Sequence, residues 1–364
     1  MRTTVRTQVG ISAWYGVCLL LKSRYGCVSG ISRLQHGQRE VPGFGKYRKW
    51  RFDHELSAFD AVLPTRWSDK KFLDIFVDTC RTVLHTRAVH QLFLVVPDAE
   101  LDRFHAVYEK RIPSSWKFFT ESDIVPEYTL FGKGRSGWER QMEIKLAIYR
   151  NVSQKFFLTL DADNFCTGAR LRPAQYLIAN RAIACMESTR GNPRFFGSKN
   201  LRPTFESLGF PAEKMPAITF GWTPQLLSTQ LLLDVDKILQ SSRNTSLLSF
   251  LLLRGRKRST CRSHCSSTWT EYLAYYALAS HFDLLEVHHF QSFQLGIDVG
   301  TCYSKVHGVL PHRPLCLKIR ITCAMDIELL RQTPTHLRPV FGVLNDHQLS
   351  VTEFEKLRGS IGTV

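Results

Sequence analysis

The chain has 364 residues, of which 44% are hydrophobic and 22% charged, and its formal net charge is +16. This composition is that of a globular protein with one large domain or two ordinary ones, and it excludes wholesale disorder. Residues 1–50 hold nine Lys or Arg and a single acid, Glu40, and a second basic cluster covers residues 254–262. Basic clusters attract phosphates of any kind. Aromatic residues are not interleaved with them as in single-strand binders, so we expect no nucleic-acid partner.

Residues 1–55 form a basic leader, which we expect to be poorly ordered, with an apolar run of 11 residues from Ile11 to Leu21. A membrane-spanning helix needs about 20 residues, whereas the apolar part of a signal peptide needs about 7–15. A signal sequence, a truncated anchor and an amphipathic or mistranslated leader remain open. The basic charge predicts weak membrane association. We favour the secretory pathway, endoplasmic reticulum or Golgi, over the cytoplasm.

The ten cysteines show no CxxC spacing. Cys80, Cys166 and Cys185 have mostly apolar neighbours, which predicts small unpaired core residues without excluding a few disulfides.

From Phe59 onward, short apolar strands alternate with helices. The pattern predicts strand 59–65, helix 69–84, strand 91–96, helix 98–110, strand 116–120, helix 137–150 and strand 155–160. Continuous apolar runs of this length are typical of strands buried on both faces of a parallel sheet. The alternation predicts an α/β fold, with a mostly parallel, Rossmann-like sheet flanked by helices. We place this domain at residues 56–290.

After residue 195 the pattern becomes less regular. It predicts strand 215–222, helix 223–239, a basic surface loop over 243–267 and helix 269–281. Residues 291–364 are interpreted as a divergent C-terminal extension.

An acidic pair, Asp161 and Asp163, directly follows the predicted buried strand 155–160. If the chain stays extended, both side chains point to one side, because side chains alternate along a strand. Hard divalent cations bind carboxylate oxygens together with oxygens of a ligand phosphate. The pair therefore predicts a metal site at a strand end. An acidic pair that only ends a strand as a turn is the competing interpretation.

Two further features converge on the same edge. Pro64-Thr65 ends an earlier strand, and ligands of α/β sheets bind beyond the carboxyl ends of strands. Trp138, Gln141 and Lys145 lie at i, i+3 and i+7 on the preceding helix, which is one helical face. This face would place the Lys145 cation and the neutral donor Gln141 near a sugar or phosphate. In the competing interpretation Trp138 packs in the core, and Gln141 and Lys145 are a solvated polar stripe.

The segment from Gly137 to Leu146, with its G-W-x-x-Q-x-x-x-K-L pattern, and the D-A-D of residues 161–163 carry a resemblance. Together they resemble the core motif of a poorly characterised glycosyltransferase-like family with the GT-A fold of nucleotide-diphospho-sugar transferases. Residues 59–65 and 93–98 are similar to that family's first two strands. Residues 269–272, with Thr270 in place of serine, are similar to a later helix of the family.

The resemblance implies a metal-dependent glycosyltransferase with a nucleotide-diphosphate sugar as donor and an unknown glycan, lipid or protein as acceptor. Asp161 and Asp163 would then hold Mn²⁺ or Mg²⁺, and Asp161 would also contact the donor. Gln141 and Lys145 would face the donor, Lys145 would take up charge on the departing diphosphate, and Glu271 would face the acceptor or the sugar. The site residues are accordingly predicted as follows: catalytic Glu271 and Lys145; donor-binding Pro64, Thr65, Trp138, Gln141, Lys145 and Asp161; metal-binding Asp161 and Asp163.

If the reaction inverts the anomeric centre, Glu271 is the candidate base. A late histidine often completes the metal shell in such enzymes, and His288, His289 and His307 are all available for this role.

Two alternatives remain open. The first is an inactive binding protein of the same fold, with a basic surface for anionic membrane or nucleic acid. The second comes from residues 295–304, L-G-I-D-V-G-T-C-Y-S, which resemble the first phosphate loop of Hsp70-like and actin-like ATPases. That fold needs several hundred residues after the loop, so a chance strand and turn is favoured there.

Overall fold

The computed structural model describes most of the predicted domain and two short strands of the C-terminal extension. The described residues are 58–84, 88–131, 135–171, 173–178, 180–184, 186–188, 196–215, 218–220, 223–254, 269–291, 318–321 and 341–344. The basic leader, the basic residues 255–268, the ATPase-like loop 295–304 and His307 lie outside them.

The elements follow the predicted alternation closely up to residue 160. The strands are β1 Phe59–Pro64, β2 Val89–Val96, β3 Trp116–Thr120, β4 Phe156–Thr159, β5 Asn164–Cys166, β6 Leu177–Ile178, β7 Arg181–Ala184, β8 Met186–Ser188, β9 Ile218–Phe220, β10 Gln225–Ser228, β11 His289–Gln291, β12 Lys318–Ile321 and β13 Phe341–Leu344.

The helices are α1 Lys70–Leu84, α2 Leu101–Tyr108, α3 Glu121–Ile124, α4 Tyr128–Phe131, α5 Gly137–Ala147, α6 Phe196–Leu208, α7 Thr229–Arg243, α8 Leu247–Arg254, α9 Glu271–His281 and α10 Leu285–His288. Short 3₁₀ turns cover Trp67–Asp69, Asp98–Glu100, Ile148–Arg150, Pro173–Tyr176 and Ala212–Lys214. No helix within the described part of the chain is long and apolar enough to cross a membrane.

The central sheet has the strand order β10-β4-β1-β2-β3. β1 pairs in parallel with β2 and β4, and β2 pairs in parallel with β3, while β10 is antiparallel to β4. This confirms the predicted α/β fold with a mostly parallel sheet flanked by helices. Because the strands other than β10 run the same way, their carboxyl ends share one edge, called the carboxyl edge below, opposite the amino edge.

Alternate residues of the central strands belong to two hydrophobic layers. Ala61 and Leu63 pack in a cluster with residues of α1, such as Phe76, whereas Val62 packs in a second cluster with residues of α5 and α9, such as Ile144 and Tyr275. Burial on both faces explains why these strands read as uninterrupted apolar runs.

The predicted helix over 223–239 begins too early. Residues Gln225–Ser228 form β10, which pairs with β4, and α7 starts only at Thr229. Proline is tolerated at the first position of a helix, so Pro224 is not the reason; residues Gln225–Ser228 pair with β4 and join the sheet. Ser228 caps α7, because its hydroxyl accepts a hydrogen bond from Leu231 N at 3.2 Å.

The predicted surface loop over 243–267 contains a buried helix, α8. Ser246 stands before it and accepts from Ser249 N at 3.1 Å, and Leu247, Leu248 and Leu251 are buried in the second hydrophobic layer. A run of leucines buries enough apolar surface to form a helix despite the basic residues that follow.

The prediction that Cys80 and Cys166 are unpaired is wrong. Both are buried, as expected, but they form a disulfide between α1 and β5. The two residues are 86 positions apart in sequence, and the sequence offers no sign of the pairing because it depends on how α1 packs against β5.

The C-terminal extension contributes to the structure beside the acidic pair. β13 pairs with β5 antiparallel, so that Val343 lies opposite Asn164, and β12 pairs in parallel with β13. These strands form a small sheet with β5, directly after Asp163.

Candidate active site

Three charged side chains from distant parts of the chain meet at the carboxyl edge. The ammonium of Lys145, in the last turn of α5, donates to Asp161 Oδ1 at 2.5 Å and to Glu271 Oε1 at 2.9 Å. It also donates to the Thr223 hydroxyl at 3.3 Å. Lys145, Asp161 and Glu271 are called the charge triad below.

The helices that carry Lys145 and Glu271 are fixed by caps at their N-termini. Before α5, the Ser136 hydroxyl accepts from Glu139 N at 3.2 Å, and the Glu139 carboxylate accepts from Ser136 N at 2.8 Å. This reciprocal capping box satisfies two backbone donors of the first turn. Before α9, the Thr270 hydroxyl accepts from Leu273 N at 3.3 Å, which places Glu271 at the first helical position.

The triad is charged and largely buried. Burial by itself would lower the pKa of Lys145, but the charges of Asp161 and Glu271 outweigh it and raise that pKa well above 10.5. Lys145 is therefore a fixed cation at neutral pH. The side chain of Glu271 is 9% exposed, and that of Asp161 is 34% exposed. Only Asp161 of the three thus offers appreciable surface to a ligand.

Behind the triad lies a network of hydroxyl groups that the sequence reasoning missed. The Tyr272 hydroxyl lies 2.8 Å from the hydroxyls of both Thr159 and Thr223. Its ring lies 5.7 Å from the Lys145 ammonium, close enough for a cation–π contact. Burial raises the pKa of Tyr272, so its phenol stays protonated at neutral pH. The one available signal was Thr159, the single polar residue in the apolar run 156–160.

The acidic pair lies in a turn and not in an extended strand, contrary to the sequence expectation. β4 ends at Thr159, and Asn164 N donates to the Asp161 carbonyl at 3.0 Å, which closes the turn. Strand alternation therefore does not orient the two carboxylates.

The fully buried Asn164 organises this turn. Its side-chain oxygen Oδ1 accepts from Asp161 N at 3.0 Å, and its side-chain nitrogen Nδ2 donates to Asp163 Oδ1 at 3.2 Å. A single side chain thus ties the backbone of one aspartate to the carboxylate of the other, and Asn164 is a site residue that the motif alone did not reveal.

The expected histidine ligands lie elsewhere. His288 Nδ1 is 3.0 Å from the Ser228 hydroxyl, and His289 Nε2 is 2.7 Å from the Tyr275 hydroxyl, which itself accepts from Ser228 N. Ser228 pairs with Phe156 at the start of β4, far along the strand from the triad. The proposal of either residue as a ligand beside Asp161 is therefore wrong.

The donor set of the turn fits a hard divalent cation. Two carboxylates, from Asp161 and Asp163, are held in one turn, and Mg²⁺ in nucleotide sites is commonly bound by one or two carboxylates together with substrate phosphates. Within the described residues, no group of three or more His, Cys, Asp or Glu is arranged to hold a metal ion. The remaining ligands would then come from phosphate and water oxygens.

The other predicted donor-binding residues lie at the end of β1 and on α5. Leu160 N donates to the Val62 carbonyl at 2.8 Å, so the end of β1, with Pro64 and Thr65, lies beside the acidic turn. Thr65 is buried, and its hydroxyl has no hydrogen-bond partner in the described part of the protein. On α5, Gln141 is half-buried one turn before Lys145, and Trp138 is 48% exposed another turn earlier.

A family model matches residues 57–298 of the chain, that of the family of unknown function DUF6492. A search among curated proteins finds no match.

Several solved structures are similar to this one. The galactosyltransferase LgtC, in complex with donor and acceptor sugar analogues, matches with a TM-score of 0.40 and 10% identity, over 84% of this chain and 97% of that one. Mouse xyloside xylosyltransferase 1 matches with a TM-score of 0.37 and 10% identity, over 80% of this chain and 99% of that one. Glucosyl-3-phosphoglycerate synthase from Mycobacterium tuberculosis, in complex with Mn²⁺ and uridine diphosphate, matches with a TM-score of 0.28 and 15% identity, over 51% of this chain and 64% of that one.

The first two neighbours are glycosyltransferases, the class that the sequence motifs resemble. At such low identity the likeness concerns the fold alone.

Proposed function

This chain belongs to the DUF6492 family, and we propose that it is a glycosyltransferase that takes its sugar from a nucleotide diphosphate and uses Mn²⁺ or Mg²⁺. The observation that carries the proposal is the charge triad at the carboxyl edge. Ligands of α/β sheets bind at this edge, and Asp161, the exposed member of the triad, is the residue that the sequence motif singled out.

The cost of the triad supports a functional role. Removing a charged group from water costs several kcal/mol even after relaxation. Replacement of such a group by well-packed apolar residues is often neutral or stabilising, so stability alone does not account for it. Groups with strongly perturbed pKa values, such as Lys145, are concentrated at functional sites.

The charges at the edge favour a divalent cation. Asp161, Asp163 and Glu271 carry three negative charges against one positive charge on Lys145, which leaves a formal charge of −2. A divalent cation neutralises this charge. Asp161 and Asp163 would hold it, and when bound it supplies Lewis-acid stabilisation to the leaving diphosphate.

In this proposal Lys145 provides a second, permanent positive charge. Its three hydrogen bonds and its raised pKa keep the ammonium protonated and in place. A preorganised charge of this kind stabilises a developing negative charge without reorganisation during the reaction. Trp138 and Gln141 would contact the donor from the preceding turns of the same helix, and Pro64 and Thr65 would do so from the end of β1.

For Glu271 we propose a positioning role in place of general-base catalysis. Its side chain is almost fully buried, and one of its oxygens is bonded to Lys145. A base must approach the acceptor hydroxyl within about 3 Å. Glu271→Gln separates the two roles, because glutamine still accepts a hydrogen bond from Lys145 but is no base. A positioning role predicts a loss below ~10-fold in kcat, whereas loss of a base predicts about 10²–10⁴-fold.

The central test is nucleotide binding by calorimetry. Wild-type protein should bind one of a panel of nucleoside diphosphates in the presence of MnCl₂ and lose that binding when EDTA is added. Asp163→Ala should abolish the Mn²⁺-dependent binding. Asp102→Ala, at an exposed position of α2, is the matched control and should bind as wild type does. Wild-type affinity in Asp163→Ala would contradict the proposed site.

A further inference from the structure

The disulfide between Cys80 and Cys166 indicates where the protein matures. Both sulfurs are buried, and the bond joins α1 to β5 across 86 residues. The Thr79 hydroxyl accepts from Cys166 N at 3.1 Å, so the two segments are also joined beside the bond. Disulfides of this structural kind persist in oxidising compartments and are rare in reducing ones.

A second, independent feature points to the same compartment. Asn244-Thr245-Ser246 is an acceptor sequence for N-linked glycosylation. Asn244 follows the last residue of α7 and is exposed. Its backbone N–H donates to the Gln240 carbonyl at 3.1 Å, in the left-handed conformation that asparagine tolerates at a helix end. The backbone is thus used in the fold, and the exposed side chain can carry a bulky group.

We propose that this protein matures in the secretory pathway and carries an N-linked glycan on Asn244. The side-chain nitrogen of Asn244 forms a bond to the anomeric carbon of a lipid-diphosphate-linked sugar and loses one proton. The bond from that carbon to the diphosphate breaks, and the lipid diphosphate leaves with the electron pair. The two thiols of Cys80 and Cys166 lose two electrons and two protons to the disulfide of a thiol oxidoreductase.

The other acceptor sequence, Asn151-Val152-Ser153, serves as an internal comparator. Asn151 is exposed, but Val152 packs against the core. Ser153 N donates to the buried Asp60 carboxylate at 2.6 Å. This segment leads directly into β4, so a glycan there would adjoin a segment that has to enter the sheet, whereas one on Asn244 stands at a helix end.

The experiment expresses the full chain in cultured eukaryotic cells, in parallel with the same chain behind an added cleavable signal peptide. Electrophoretic mobility is measured before and after treatment with peptide N-glycosidase, for wild type, Asn244→Gln and Asn151→Gln. Free thiols are counted by maleimide labelling before and after reduction, with Cys80→Ala as the reference. Nucleotide binding need not be assayed, so the result is independent of the proposed activity.

The expected result is a glycosidase-sensitive shift of the unmodified full chain that is lost in Asn244→Gln and kept in Asn151→Gln. Labelling of Cys80 and Cys166 should require reduction. A shift only when the signal peptide is added would overturn delivery to the secretory pathway. No shift in either chain, or a shift that Asn151→Gln alone removes, would overturn the assignment of Asn244. Labelling of Cys80 and Cys166 without reduction would overturn the oxidising compartment.

Discussion

The two edges of the central sheet each hold an aspartate, and the comparison between them separates a structural carboxylate from a candidate functional one. At the amino edge, Asp60 is 1% exposed and accepts from Ser153 N at 2.6 Å, Gln154 N at 3.0 Å and the Ser153 hydroxyl at 3.2 Å. His90 Nδ1 lies 3.0 Å from its other oxygen. Its two oxygens are thus occupied by groups that position the loop before β4.

At the carboxyl edge, the Asp161 carboxylate has one side-chain partner among the described residues, the Lys145 ammonium, and the Asp161 side chain is 34% exposed. The difference lies in the partners and not in the residue type. Backbone N–H groups satisfy a carboxylate within the fold, whereas a lone cation and an open surface leave oxygens available for a ligand.

The largest effect is expected from removing the cation of the charge triad. Lys145→Met leaves Asp161 and Glu271 without their partner, and loss of one member of a buried ion pair costs about 3–5 kcal/mol. Urea unfolding should show this loss of stability, and calorimetry should show that nucleotide binding is lost. Lys237→Met, at an exposed position of α7, should change neither. A stable Lys145→Met protein that still binds nucleotide would remove the distinction between the edges.

The raised pKa of Lys145 leads us to expect a pH dependence of the free energy of unfolding. Burial opposes its charge, but Asp161 and Glu271 raise its pKa in the folded protein above 10.5. Its stabilising contribution is therefore complete below pH 10.5 and is lost as the pH rises through the folded-state pKa. The difference in unfolding free energy between wild type and Lys145→Met should stay constant from pH 7 to 9 and shrink above 10.5. A difference that shrinks already between pH 7 and 9 would contradict the raised pKa.

The next effect concerns the covalent bond that holds the chain just beyond the acidic turn. The double variant Cys80→Ala/Cys166→Ala should lose about 2–4 kcal/mol of stability, because the bond closes a long loop in the unfolded chain. Dithiothreitol should lower the unfolding midpoint of wild type and leave that of the double variant unchanged. Equal midpoints of wild type with and without reductant would mean that the bond is not formed.

A matched pair of substitutions tests the two aspartates directly. Asp60→Asn should cost about 1–3 kcal/mol, because a neutral amide oxygen accepts more weakly than the carboxylate from Ser153 N and Gln154 N. Its affinity for nucleotide and Mn²⁺ should equal that of wild type. Asp161→Asn should have the opposite profile, with loss of binding and a smaller loss of stability. If both variants lose binding to the same degree, the edges do not differ in function.

The smallest effect is expected at Tyr272. Tyr272→Phe removes a hydroxyl between Thr159 and Thr223 and should cost about 1 kcal/mol, with a several-fold weaker nucleotide affinity because Thr223 also holds Lys145. Tyr276→Phe is the control on the same helix, since its hydroxyl donates to Gln225 Oε1 and not to the triad. It should lose similar stability with unchanged affinity. Equal affinities in the two variants would exclude a role of the hydroxyl network in binding.

The sequence by itself determined the sheet, because strands buried on both faces must be apolar throughout, and runs such as residues 91–96 admit few other structures. It also indicated Lys145, Asp161 and Glu271 as members of one site, through motifs. It failed at β10, where the segment Gln225–Ser228 is equally compatible with a helix, since pairing with β4 alone decides between the two.

Only the tertiary structure decided which of these residues touch. Lys145 and Glu271 are 126 positions apart, and their contact depends on how α5 and α9 pack on the same face of the sheet. The Cys80–Cys166 bond and the placement of His288 and His289 away from the acidic turn follow from the same kind of packing. Local sequence determines which faces are apolar and where helices begin, whereas contacts between distant segments depend on the sum of all packing interactions, which no single motif encodes.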